Sequence, residues 1–141
     1  MRERSVRPAK DWEEVEMERR VNSGDVNFIS YLVDVMCELA QTRMQISISE
    51  LSKVMHTLPP IDPRNLYRKQ YGNMDQCLKN GKVGHVFWLD AMMIKPVPLP
   101  QLEQARDSGV LSPADFTKLT SKQRDLEERL RAAEARLRGT A

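Results

Sequence analysis

The chain has 141 residues, 40% hydrophobic and 30% charged, with a net charge of +2. That length holds one domain of ordinary size with an appendage, not two full domains. No apolar run reaches the ~18 residues of a membrane span, and two cysteines cannot build a disulfide framework. The opening stretch, MRERSVRPAKDWEEVEMERR, is charged throughout and lacks the apolar centre of a secretory leader, which points to the cytoplasm.

The charge is unevenly placed. Residues 1–24 net zero, 25–42 net −3, 43–95 net +4 and 96–141 net +1. The positive excess therefore coincides with the middle of the chain, where the core signals also lie, and such a patch suits phosphates.

Residues 1–24 scatter a few apolar side chains, Val15, Met17, Val21 and Trp12 among them, between dense charges and read as an arm or a loosely docked helix. Phe28, Leu32, Val35, Met36 and Leu39 then follow the rhythm of a buried helical stripe, with Ser23 or Asp25 as cap. A very short strand follows at Gln45–Ser47. The next helix, Ile48–Met55, opens with a capping box formed by Ser47 and Glu50. Three prolines within His56–Pro63 forbid helix, and Asp62-Pro63 is a cap followed by an N1 proline, so a third helix starts there. Its inner face is Tyr67, Tyr71, Met74 and Leu78, flanked by Leu66 and Cys77, and Gly72-Asn73 splits it in two.

Residues 82–97 alternate as a hairpin, with Val83, His85, Phe87 and Leu89 on one side and a turn at Asp90-Ala91, although Leu89–Lys95 also holds good helix formers. Residues 98–111 read as a stiff proline-rich linker. Ser112-Pro113 opens a last helix over 112–141, in which Leu119, Leu126, Leu130, Ala133 and Leu137 form a coiled-coil-type seam that either serves dimerisation or folds back on the core, its length favouring the first. The fold class is thus mainly α with a small β-hairpin: a three-helix core over residues 25–97 and a C-terminal helix.

Candidate chemistry is sparse. No Ser/His/Asp or Cys/His dyad, glycine-rich phosphate loop or clustered metal ligands stands out, so neither catalytic residues, a metal nor a cofactor is expected. His56 and His85 read as surface or structural histidines, and Cys37 and Cys77 as small apolar packing residues. One of Phe87 and Trp88 must face inward if the segment is a strand. Met44, Met92 and Met93 remain as surface methionines.

The phrases Ile46-Ser47-Ile48-Ser49-Glu50-Leu51-Ser52-Lys53-Val54-Met55 and Met74-Asp75-Gln76-Cys77-Leu78-Lys79-Asn80-Gly81-Lys82-Val83, in an order of helix, strand, helix, helix and hairpin, resemble winged helix-turn-helix domains over residues 26–97. One departure is the proline-rich segment between the second and third helices, longer than the tight turn usual there. The resemblance implies that the third helix enters the major groove of double-stranded DNA. The face opposite the inner stripe offers Arg64, Asn65, Arg68, Lys69, Asn73 and Gln76, and the hairpin bases offer Lys82 and Lys95. Basic side chains grip phosphates or guanine, and the amides pair with adenine. The expected function is a small dimeric transcription regulator, nucleoid-associated in a bacterial cell. The alternative is a non-enzymatic module that docks on a larger protein complex, with the same core as scaffold.

Overall fold

A computed structural model describes residues 24–139. The arm expected over residues 1–24, and Ser23 as a cap, therefore fall outside the described residues, apart from Gly24. Helix α1 runs Gly24–Leu39, strand β1 Ile46–Ser47 and helix α2 Ile48–Met55. The capping box forms as its residues dictate: Ser47 Oγ accepts from the Glu50 amide at 3.0 Å, and the Ser47 amide donates to Glu50 Oε1 at 2.9 Å. The proline-rich loop leads to α3, Pro63–Gln70, capped by Asp62. Gly72 takes φ +89°, a left-handed backbone that glycine adopts without penalty, and there the third helix breaks. Asn73 caps the resumed helix α4, Met74–Leu78, by accepting from the Gln76 amide.

Next comes a departure. Residues Gly81–Gly84 form a short helical turn, α5, where the alternation of Val83 and His85 predicts strand. Asn80 accepts from the Lys82 amide at 2.9 Å, and this cap outweighs the β propensity of an isolated valine between glycines. The hairpin itself forms one turn later, as β2 (Phe87–Asp90) and β3 (Met93–Pro96). Its two-residue turn is Ala91-Met92, both at positive φ. The three strands are antiparallel in the order β1-β3-β2, with Ile46 opposite Ile94 and Trp88 opposite Lys95.

The linker expected over 98–111 is also corrected. Residues Leu99–Asp107 form helix α6, with Pro100 in its first turn, where no amide is needed. Gly109, at φ +85°, ends it in a Schellman turn: its own amide donates to the Arg106 carbonyl, and that of Val110 to the Ala105 carbonyl. Leu102, Ala105 and Leu111 join the core, so this stretch is part of the domain.

Helix α7, Pro113–Gly139, starts as predicted, with Ser112 Oγ accepting from the Asp115 amide at 3.1 Å. Its first half lies on α1. The Lys118 ammonium meets Asp34 at 2.9 Å, the Cys37 thiol donates to the Lys118 carbonyl, and Leu119 and Leu126 are buried in the common core. From α6, the Arg106 guanidinium covers the Phe116 ring at 4.4 Å. The architecture is mainly helical with a small three-stranded antiparallel sheet, and one apolar core joins α1 to every later layer.

Candidate nucleic-acid interface

Asp62 is both cap and counter-ion. Its carboxylate accepts from the Arg64 amide at 2.9 Å and takes the Arg64 guanidinium in two further bonds, of 2.8 and 2.7 Å. The side-chain bonds to Arg64 hold the Asp62 carboxyl down at about 2, below its ordinary 3.8. The guanidinium also lies 4.7 Å over the Tyr31 ring. Arg64 is thus engaged both at the start of α3 and against Tyr31 of α1, with its side chain still 37% exposed.

Asn65 is corrected. It is buried, and its amide nitrogen donates to the carbonyls of Leu58 and Pro59, pinning the proline-rich loop to the helix. A buried amide with its donors occupied cannot read a base. Leu66 takes the outward place instead, 51% exposed.

Tyr67 faces inward as its spacing predicts, stacking on Phe28 at 4.9 Å and Tyr71 at 5.1 Å. Its hydroxyl donates to Asp25 at the start of α1, and Asn80 donates to that hydroxyl at 3.1 Å. Burial first, then the neighbouring carboxylate, pushes the Tyr67 phenol well above its ordinary range. The Lys82 ammonium sits 3.6 Å from the same carboxylate. Lys95 is likewise paired, with Asp90 across the hairpin at 3.1 Å. The Lys95 pair is exposed on both sides and worth ~0–1 kcal/mol, so a phosphate competes with Asp90 for it, whereas Lys82 is exposed but its partner Asp25 is mostly buried.

What remains of the predicted face is smaller. Lys69, Asn73 and Gln76 are exposed, Arg68 is half-buried, and Lys69 makes no ion pair among the described residues. Asn73 and Gln76 are joined through the cap of α4. Sequence reasoning left Lys79 out of the set; it is exposed and follows Gln76 by three residues, the spacing that puts both on one side of α4. The split third helix thus leaves Lys69, Gln76 and Lys79 exposed and Arg68 half-buried, with Arg68 and Lys69 on α3, Gln76 on α4 and Lys79 at its C-cap. Asn65 serves its interior.

The dimerisation seam divides too. Leu119 and Leu126 are consumed by α1, a correction to their expected place between two chains, whereas Leu130 is 39% and Leu137 74% exposed with Ala133 between them. Among the described residues no cluster of histidine, cysteine and carboxylate could hold a metal, and no helix is long and apolar enough to cross a membrane. No family model, curated protein or solved structure matches the chain.

Proposed function

We propose that the chain is a small double-stranded-DNA-binding regulator of winged-helix type, which presents α3–α4 to the major groove and pairs with a second copy through the distal half of α7. The observation that carries this reading is the order helix, strand, helix, split helix, short helical turn, hairpin with strand order β1-β3-β2, in which the split helix turns Lys69, Gln76 and Lys79 to solvent. Lysine and arginine there neutralise phosphates, while Gln76 has the amide geometry that pairs with adenine. Two copies joined along Leu130, Ala133 and Leu137 would set two such helices on successive turns of a palindromic site.

Binding to a random duplex, followed by fluorescence anisotropy at two salt concentrations, tests the reading. Each phosphate contact contributes about 0.9 to the log–log salt slope, so Arg68, Lys69 and Lys79 give a slope of about −3 for each copy bound, about −5 for the dimer. Replacing Arg68 and Lys69 with alanine lowers its magnitude by about two for each copy. The full chain should sediment as a dimer, and removal of residues 129–141 should make it a monomer. Salt-independent or absent binding overturns the DNA reading.

A second reading has its own support. Ile61, 81% exposed, and Leu66 occupy the staple positions before and within the first turns of α3, next to exposed Pro59 and Pro60. An apolar patch on that face suits docking to a protein complex. Duplex affinity unaffected by Arg68→Ala and Lys69→Ala favours it.

A further inference from the structure

An open groove of about 430 Å³ separates the hairpin from α6. The pleat of β2 creates one wall: Phe87 enters the core, so Trp88 points to the opposite face, where it remains 47% exposed. The other wall is a polar ridge on α6, Gln101, Gln104 and Ser108, at spacings that share one helix side. The two glutamine amides make no hydrogen bond among the described residues. Ser108 spends its proton on the Ala105 carbonyl, at 3.1 Å, and keeps its lone pairs to accept.

The lining selects a class of ligand. His85 also lines it, and none of its residues is a carboxylate, a lysine or an arginine, so it suits a flat, polar group without a formal charge of its own. The indole offers a flat π-face, and primary amides match the paired donor and acceptor on the edge of a base. Lys95 supplies a cation in the right place. It stands directly across from Trp88 in the hairpin register and hence on the same face of the sheet, and among the described residues its one ion pair is the exposed one with Asp90. The volume falls within the range of small-ligand sites and accommodates a base with its sugar.

We propose that this groove seats one unpaired base of a single-stranded nucleic acid, stacked on Trp88, with Gln101 and Gln104 at its edge and Lys95 at its phosphate. The site goes beyond the duplex reading and uses none of the α3–α4 side chains. It provides for a strand end, a bulge or an opened duplex next to the helix that grips paired DNA.

Trp88 is its own reporter. In the full chain carrying Trp12→Phe, titration with a twelve-nucleotide single strand of adenosine, as DNA and as RNA, should quench the remaining indole emission. Trp88→Leu should weaken single-strand binding, read by anisotropy, about 5- to 100-fold. Gly84→Leu provides an independent arm: Gly84 lines the groove and a Cβ there meets nothing within 4 Å, so a larger side chain has open space to enter, and circular dichroism checks that the variant is folded. It should weaken single-strand binding comparably and leave duplex binding unchanged. Absent quenching, or single-strand affinity unaltered in a folded Gly84→Leu variant, overturns the proposal. Adenosine monophosphate binding as tightly as the strand overturns the strand assignment in favour of a free nucleotide. Quenching by the strand without any duplex binding sinks the major-groove reading and leaves this one standing; duplex binding without quenching does the reverse.

Discussion

If the first half of α7 belongs to the core, the two ends of its leucine stripe must respond differently to the same truncation. Leu119 is fully buried and Leu126 nearly so, against α1 and the core that α6 and Leu111 complete. Removing a buried leucine side chain to the β-carbon costs its transfer free energy plus the cavity left behind, together about 2–5 kcal/mol. Two features place Leu119→Ala in the middle of that range, about 3 kcal/mol. The site is completely enclosed, and the Lys118 pair with Asp34 and its bond from Cys37 hold the backbone beside it, which limits collapse into the cavity. Leu130 is already 39% exposed, so Leu130→Ala should cost less than about 1 kcal/mol in the isolated chain. Urea unfolding followed by far-ultraviolet circular dichroism, with unchanged m-values, gives both numbers. Tenfold dilution should alter the Leu130→Ala cost, which includes pairing between chains, but not the Leu119→Ala cost. Equal small costs at both sites would refute the docking of α7 on α1.

Two further outcomes follow from local geometry. Ala91 and Met92 sit at φ +49° and +68°, the left-handed pair of a type I′ turn that Asn-Gly satisfies best, so Ala91→Asn with Met92→Gly should stabilise by about 1 kcal/mol and raise Tm by about 3–5 °C in a thermal scan; a lower Tm would contradict the turn. The Asp62 carboxyl is lowered in the folded state, so its contribution is complete above the ordinary value of 3.8 and is lost as pH falls through about 2. Asp62→Asn, which keeps a capping oxygen, should therefore be less stable than the parent chain at neutral pH, with the gap shrinking from about pH 4 downward and closing below about pH 2; a gap that stays constant down to about pH 1 would exclude the Arg64 pair as its source.

The features legible in the sequence are those made by residues within a few positions of one another. The Ser47–Glu50 box, the Asp62-Pro63 and Ser112-Pro113 starts, and the break at Gly72-Asn73 are each closed by bonds across two or three residues, and all stand where the residues place them. The inner stripe of Tyr67, Met74 and Leu78 was equally legible, because three buried apolar groups at helical spacing leave one solution. The outer face was not. Asn65 and Leu66 differ by one position, about 100° of helix, and which of them is buried depends on the Leu58 and Pro59 carbonyls, brought opposite by the loop. An amide that satisfies two backbone acceptors outcompetes an apolar side chain that would leave them bare. The same physics withdrew Arg64 to Asp62 and Tyr31, and turned Trp88 outward once Phe87 had the core. Proline at 98 and 100 read as linker because its missing amide breaks a helix interior, whereas in a first turn that amide is not required. The seam of α7 carries spacings of seven, four, three and four from Leu119 to Leu137, all fitting one heptad register. Only the reach of α1 determined where it stops being core and becomes surface.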